Sequence, residues 1–249
     1  MKKSKALLLG VGILSASFLM VACSSTQSNA SDKTYSYVFA SNPDTLDYIT
    51  STRGSTSSIT TNLIDGLLEN DKYGNLVPSM AESWTVSKDG LTYTYKIRQG
   101  AKWYTSEGEE YAEVTAHDFV TGLKYAADKK AENLYLVRDS IKGLADYVEG
   151  KISDFETVGV KAVDDYTLQY TLNKPESYWN SKTTGGILSP VNEAFLKSKG
   201  DDFGSVTPSS ILSNGPYLFK SFTSKSLIEF EKNPNYWDKD NVKIEKVKL

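Results

Sequence analysis

A chain of 249 residues with a single histidine and a single cysteine has few routes to covalent chemistry. His117 is followed by Asp118, and a Ser-His-Asp relay would need this histidine together with a serine brought from elsewhere. The local spacing points to another role. Thr115 stands three residues before Asp118, a capping box with Asp in place of Glu, and Phe119, Val120, Leu123, Ala126 and Ala127 follow at helical intervals. His117 is therefore read as an exposed residue in the first turn of a helix. No nucleophile elbow, phosphate-cradling glycine loop or paired metal-ligand motif occurs in the chain. Neither a metal nor a cofactor is expected, and no residue is assigned a catalytic role.

The cysteine has a clearer chemistry. Residues 1–5 are basic, Ala6 to Ala22 carry no charge, and Cys23 follows Met20-Val21-Ala22. A membrane-spanning helix usually needs roughly 20 apolar residues, and this run is shorter, so residues 1–22 are predicted to be a signal peptide. A small residue just before the sole cysteine marks a lipoprotein signal, although Met20 stands where Leu is usual. Cys23 would become the first mature residue and carry lipid on its sulfur and its amino group. Several acyl chains such as palmitate hold a protein on a cell membrane where one chain holds it marginally. One cysteine leaves no intrachain disulfide.

Residues 23–33 continue with small polar side chains and are predicted to be a flexible tether. Removing Lys2, Lys3 and Lys5 with the signal leaves 25 basic against 31 acidic residues, a formal charge of −6. No basic stripe remains, so nucleic acid is not an expected partner. Sixteen tyrosines and four tryptophans supply a large apolar core, enough for one large or two smaller domains.

The elements that position these residues show in the periodicity. Trp84 and Val86, then Leu91, Tyr93, Tyr95 and Ile97, alternate with polar residues around Lys88-Asp89-Gly90, which predicts a half-buried hairpin. A second hairpin is predicted around Asp164-Asp165, with Tyr166, Leu168, Tyr170 and Leu172 on one face. Tyr35 to Ala40 alternates weakly as a first strand. Asn133 to Gly150 places Leu134, Val137, Ile141, Leu144, Ala145 and Val148 at helical spacing and predicts an amphipathic helix. Ser189-Pro190-Val191 predicts the start of another helix, running to Lys199, with proline in its first turn. Thr50 to Thr60, TSTRGSTSSIT, reads as a hydroxyl-rich loop holding one arginine and one glycine.

Several blocks in order carry a resemblance. These are Met80-Ala81-Glu82-Ser83-Trp84, Tyr93 to Arg98, Gly100-Ala101-Lys102-Trp103, Thr115 to Phe119, Asn214-Gly215-Pro216-Tyr217 and Asn233-Pro234-Asn235-Tyr236-Trp237. Together with Thr45-Leu46-Asp47 they resemble the OppA-type, oligopeptide-binding branch of the extracellular solute-binding proteins, family 5, the lipoproteins that hand substrate to ABC importers. The turn Thr105-Ser106-Glu107-Gly108 and the acidic stretch after it depart from the family's pattern. The resemblance covers nearly all of this chain and the first half of the family's length.

That resemblance implies an α+β/α/β fold, a type II (cluster C) periplasmic-binding-protein-like lobe with an inserted small α+β domain, and a second lobe that has no counterpart here. It places the large lobe at 34–69 and 188–249 and the small domain at 70–187. Asn62 to Leu68 resembles the family's helix, and the residues before it line the family's cleft. Arg53, Gly54, Ser55 and Thr56 on one side, with Asn214 and Gly215 on the other, are thereby implied as ligand-binding. Glycine would allow close backbone approach and Arg53 would meet a carboxylate.

The implied partners are oligopeptides, an ABC permease with its ATPase subunits, and the membrane through Cys23. The protein itself would be a monomer on the extracytoplasmic face. One wall of a cleft would bind peptide weakly. Dipeptide, nickel or sugar ligands stay open within this class. So do a surface interaction or pheromone-sensing protein on the same scaffold, and an exported hydrolase using His117.

Overall fold

The computed structural model describes residues 33–39 and 41–249. The predicted signal peptide over 1–22, Cys23 and all of the predicted tether except Lys33 lie outside the described residues. In chain order the regular elements begin with β1 (Thr34–Ser36), α1 (Gly54–Thr60), β2 (Leu68–Asn70), β3 (Leu76–Pro78), β4 (Ala81–Val86), β5 (Thr92–Ile97), β6 (Lys102–Tyr104), β7 (Glu110–Glu113) and α2 (Ala116–Asp128). They continue with α3 (Leu144–Val148), β8 (Val160–Asp164), β9 (Thr167–Thr171), α4 (Trp179–Lys182), α5 (Glu193–Lys199), β10 (Tyr217–Thr223), β11 (Leu227–Lys232) and β12 (Lys246–Lys248).

Both predicted hairpins form and join into one antiparallel sheet in the order β4-β5-β9-β8. Gly90 turns the first of them at φ +72°, a conformation in which a β-carbon is strained, and the Asp89 carboxylate accepts from Leu91 N at 3.0 Å. Tyr93 faces Tyr170 and Tyr95 faces Leu168 across the strands, and all four are buried with Ile97. The predicted face is incomplete on β4, the edge strand, where Trp84 is half-buried and Val86 is 46% exposed.

Against this sheet packs α2, started by the predicted capping box: Thr115 N donates to Asp118 Oδ2 at 2.9 Å. Phe119, Leu123, Ala126 and Ala127 form its buried stripe. Gly122 lets the helix approach its neighbour, since a β-carbon there would stand 2.2 Å from the Ser189 carbonyl oxygen. Ala is normally favoured over Gly inside a helix by about 1 kcal/mol, but Gly122→Ala is expected to destabilise by roughly 2–3 kcal/mol, because backbone must move to admit the methyl. Urea unfolding reads the sign. A stabilised variant would mean that α2 is not seated on Ser189.

A second four-stranded sheet has the order β1-β12-β11-β10, with β1 parallel to β12 and the other pairs antiparallel. Phe219, Ile228, Phe230 and Val247 fill its buried face. Of the strand predicted over 35–40, Tyr35 and Ser36 lie in β1 and residues 37–39 do not, while Ala40 lies outside the described residues.

Three predicted helices differ, each because a remote partner takes the backbone. Asn133 to Gly150 is not one helix. A 3-10 turn (Glu132–Leu136) and α3 flank a segment in which Ile141 bridges to Leu172, Lys142 N donates to Thr171 O at 3.0 Å, and Gly159 N donates to Lys142 O at 2.7 Å. Leu134, Val137, Ile141 and Leu144 are still buried, and the stretch around Ile141 and Lys142 is bonded to the end of β9 instead of continuing a helix. Pro190 lies outside α5: its carbonyl accepts from the Tyr48 hydroxyl at 2.8 Å and Val191 N donates to Asp118 O at 2.9 Å, so the helix starts later, with Asn192 as N-cap and its Oδ1 accepting from Phe195 N at 3.0 Å. The helix expected over 62–68 comes earlier, as α1, on residues predicted to be loop. Gly66 O and Leu67 O instead accept from Met80 N and Ala81 N, at 3.0 and 2.9 Å.

Candidate functional site

The hydroxyl-rich segment is held from below by Asp47. Its buried carboxylate accepts from Ile49 N and Thr50 N at 3.1 Å each, from Thr50 Oγ1 at 2.6 Å and from the Tyr125 hydroxyl at 2.9 Å. Burial and the nearby Asp47 charge push the Tyr125 phenol far above its ordinary value, so it stays a donor. Thr56 Oγ1 donates to Thr45 O at 2.7 Å and accepts from Ser51 Oγ at 3.1 Å. These bonds fix the turn that leads into α1.

The sequence 54–60 is poor in strong helix formers, and α1 is held by the burial of Thr56, Ile59 and Thr60 on its inner face. Ser58 Oγ donates to Gly54 O at 2.8 Å and Thr60 Oγ1 to Thr56 O at 3.1 Å, a local pairing that Ser and Thr tolerate in short helices.

Beside the start of α1 opens a groove of about 710 Å³, lined by Ser41, Thr45, residues 50–55 and Glu132. Its surface is hydroxyls, main chain and two charged side chains. Arg53 Nε lies 2.8 Å from Asp44 Oδ2, and Thr52 Oγ1 donates to Glu132 Oε2 at 3.0 Å. Of the residues predicted from sequence, Arg53, Gly54 and Ser55 line this groove. Thr56 is 1% exposed and faces inward. No side chain crowds Gly54, where a β-carbon would meet nothing within 4 Å.

Asn214 and Gly215 stand elsewhere. Asn214 is 2% exposed, and its side chain accepts from Asp65 N at 2.9 Å and donates to Asp65 O at 3.2 Å. A β-carbon on Gly215 would lie 2.8 Å from the Leu63 carbonyl. The structure brings both against residues 63–65 in the interior, not into the groove. The Asp65 carboxylate in turn accepts from the Tyr236 hydroxyl at 2.7 Å and Trp237 Nε1 at 3.2 Å, while the Arg98 guanidinium lies 3.7 Å from the centre of a Trp237 ring. Burial raises the Asp65 pKa to about 6 against the pull of these donors. The two aromatic motifs near the end of the chain thus lock the segment that follows α1.

Among the described residues no serine hydroxyl is hydrogen-bonded to His117. His117 Nε2 meets Asp165 Oδ1 at 3.3 Å on the surface, with both side chains more than 60% exposed. Asp118 is turned to Thr115 N and to Trp103 Nε1, which donates at 3.0 Å. Among the described residues no group of His, Cys, Asp and Glu is placed to hold a metal ion, and no helix is long and apolar enough to cross a membrane.

Glu132 and Asp44 escaped the sequence reading as site residues. Thr52 and Glu132 are far apart in the chain, and no spacing rule connects them. Asp47 had a signal, a buried-type carboxylate after Leu46 in a turn-forming run, but its partner Tyr125 sits on α2.

Residues 75–249 match the profile of the bacterial extracellular solute-binding proteins, family 5 Middle. The chain is 64% identical over 251 residues to the oligopeptide-binding protein AliA of Streptococcus pneumoniae, covering 100% of this chain and 38% of that protein. It is 64% identical over 257 residues to the oligopeptide-binding protein SarA of Streptococcus gordonii, covering 100% and 39%. Among solved structures it is similar to OppA of Listeria monocytogenes bound to peptide, at a TM-score of 0.80 and 33% identity, over 88% of this chain and 42% of that one. The fold is the periplasmic-binding-type lobe expected from the sequence, and the chain spans about two fifths of the length of the curated relatives it matches.

Proposed function

The chain belongs to the bacterial extracellular solute-binding proteins, family 5, and from that premise we propose that it captures oligopeptides outside the cytoplasm and presents them to an ABC permease with its ATPase subunits. The observation that carries this reading is the groove at residues 50–55. Its lining offers hydroxyls and main chain and no apolar side chain, which suits a ligand recognised through its own peptide groups whatever its side chains. Arg53, Gly54 and Ser55 touch the ligand. Thr56 supports them from below, and Asn214 and Gly215 act at a distance by fixing residues 63–65.

The body works as a monomeric binding protein without catalysis, its large lobe at 34–69 and 188–249 and its small domain at 70–187. Lipid on Cys23 holds it to the membrane. Cys23→Ala is expected to move the exported protein from the membrane fraction to the medium, and mass spectrometry of the wild type should find acyl chains on residue 23. An unmodified sulfur on membrane-bound protein would remove the anchor from this account.

Calorimetric titration tests the ligand class. Oligopeptides of mixed sequence should release or absorb heat with weak affinity, because the described groove is open and shallow, while sugars and nickel should give none. Binding of a sugar or of nickel without peptide would end the oligopeptide reading.

A further inference from the structure

Resting on that reading and narrowing it, we propose that Glu132 makes the groove selective for peptides bearing a cationic group, an ammonium or a guanidinium. The two charged side chains in the lining are Arg53 and Glu132. Arg53 already has a counter-ion, Asp44, at 2.8 Å. Glu132 makes no ion pair among the described residues. Among the described residues its one side-chain hydrogen bond comes from an uncharged donor, Thr52 Oγ1 to Oε2 at 3.0 Å, and Oε1 accepts none.

The neighbouring cations on its own segment do not satisfy it. Lys129 Nζ lies 5.9 Å from the Tyr125 ring centre, and neither Lys129 nor Lys130 comes within ion-pair distance of the Glu132 carboxylate. With Arg53 offset by Asp44, the uncompensated charge of the groove is negative.

The Thr52 bond adds orientation. It ties Glu132, which follows α2, to the turn before α1, so the carboxylate is held over the groove with less freedom to lose when a cation arrives. A cation about 4 Å from this exposed carboxylate gains about fivefold in affinity at low salt, and the gain is screened as salt rises.

The test uses the full chain and NMR-detected titrations with peptides matched except for charge. One pair is N-acetylated and carries Lys or norleucine at a single position. The other lacks lysine and has a free or an acetylated amino terminus. The first pair reports a side-chain cation and the second a terminal one.

Wild type should prefer the cationic member of at least one pair about fivefold at low salt, with less preference at high salt. In E132Q the ratio should fall to about one, and in E132K it should invert. A wild-type ratio of one in both pairs overturns the assignment of Glu132 while leaving peptide capture standing, as does a preference that survives in E132Q. Failure of wild type to bind any of these peptides overturns the peptide reading and this inference together.

Discussion

Asp65→Asn is expected to flatten the loss of stability that wild type shows between about pH 4 and pH 7, and Asp65→Ala to destabilise by roughly 3 kcal/mol at pH 7. Burial raises the carboxyl from 3.8 to about 6 in the folded protein. Between those values the folded state binds more protons than the unfolded one, so unfolding free energy falls as pH rises. The contribution is complete below pH 3.8 and gone above about 6.

A shift of this size corresponds to roughly 3 kcal/mol. Asparagine keeps an acceptor for the Tyr236 hydroxyl and Trp237 Nε1 and removes the charge. Alanine leaves both donors without their acceptor and opens a hole. Asp118, raised by burial to about 6 as well, titrates in the same window and keeps its own share of the slope in the Asn variant. Urea unfolding at three pH values separates the cases. A slope identical in wild type and Asp65→Asn would mean that this carboxylate is not buried as described.

Lys182→Met should act with the opposite pH dependence. The Glu176 side chain is 3% exposed and accepts from Lys182 Nζ at 2.8 Å and from Ser140 Oγ at 2.9 Å. Burial alone would raise its pKa, but the bonds from Lys182 and Ser140 and the lysine charge together outweigh burial and hold it below the ordinary value. Its stabilisation is therefore present above the unfolded value near 4.5 and lost as pH falls through the lower folded one.

Removing the lysine strands a buried carboxylate, expected to cost about 3 kcal/mol at pH 7, the low end for a broken buried pair because Lys182 keeps about a fifth of its surface in water. The cost should shrink toward pH 4, where in the variant the buried Glu176, freed of the lysine, takes up a proton. Adding Glu176→Gln should restore much of the loss in a double-mutant cycle. A Lys182→Met penalty that is the same at pH 4 and pH 7 would show that charge is not its origin.

What could be read from the sequence was local and periodic. The alternation through Tyr93, Tyr95 and Ile97, its echo in Leu168 and Tyr170, and the Thr115–Asp118 cap are each decided by neighbours a few residues away. What could not be read depended on distant backbone partners. Ile141 has helical spacing with its neighbours, yet Leu172 takes it as a bridge. The Ser and Thr residues of 55–60 look like loop, yet burial of Thr56, Ile59 and Thr60 against the core holds them in a helix.

Asn214 illustrates the limit for function. The resemblance implied it as ligand-binding, and its side-chain amide pairs with the Asp65 main chain in the interior. Arg53, Gly54 and Ser55 were picked because the resemblance fixed their distance from Gly66-Leu67, and they line the groove beside α1. Glu132 carried no such marker.

On the proposed function, peptide main chain lies along residues 51–55. Backbone amide shifts of the isotope-labelled chain, followed through a titration with mixed oligopeptides, test it most directly. The largest changes are expected at Ser51, Thr52, Arg53, Gly54, Ser55 and Glu132, with Asn214 and Gly215 moving little. Changes centred on Asn214 and Gly215, or spread elsewhere with residues 51–55 unmoved, would contradict it.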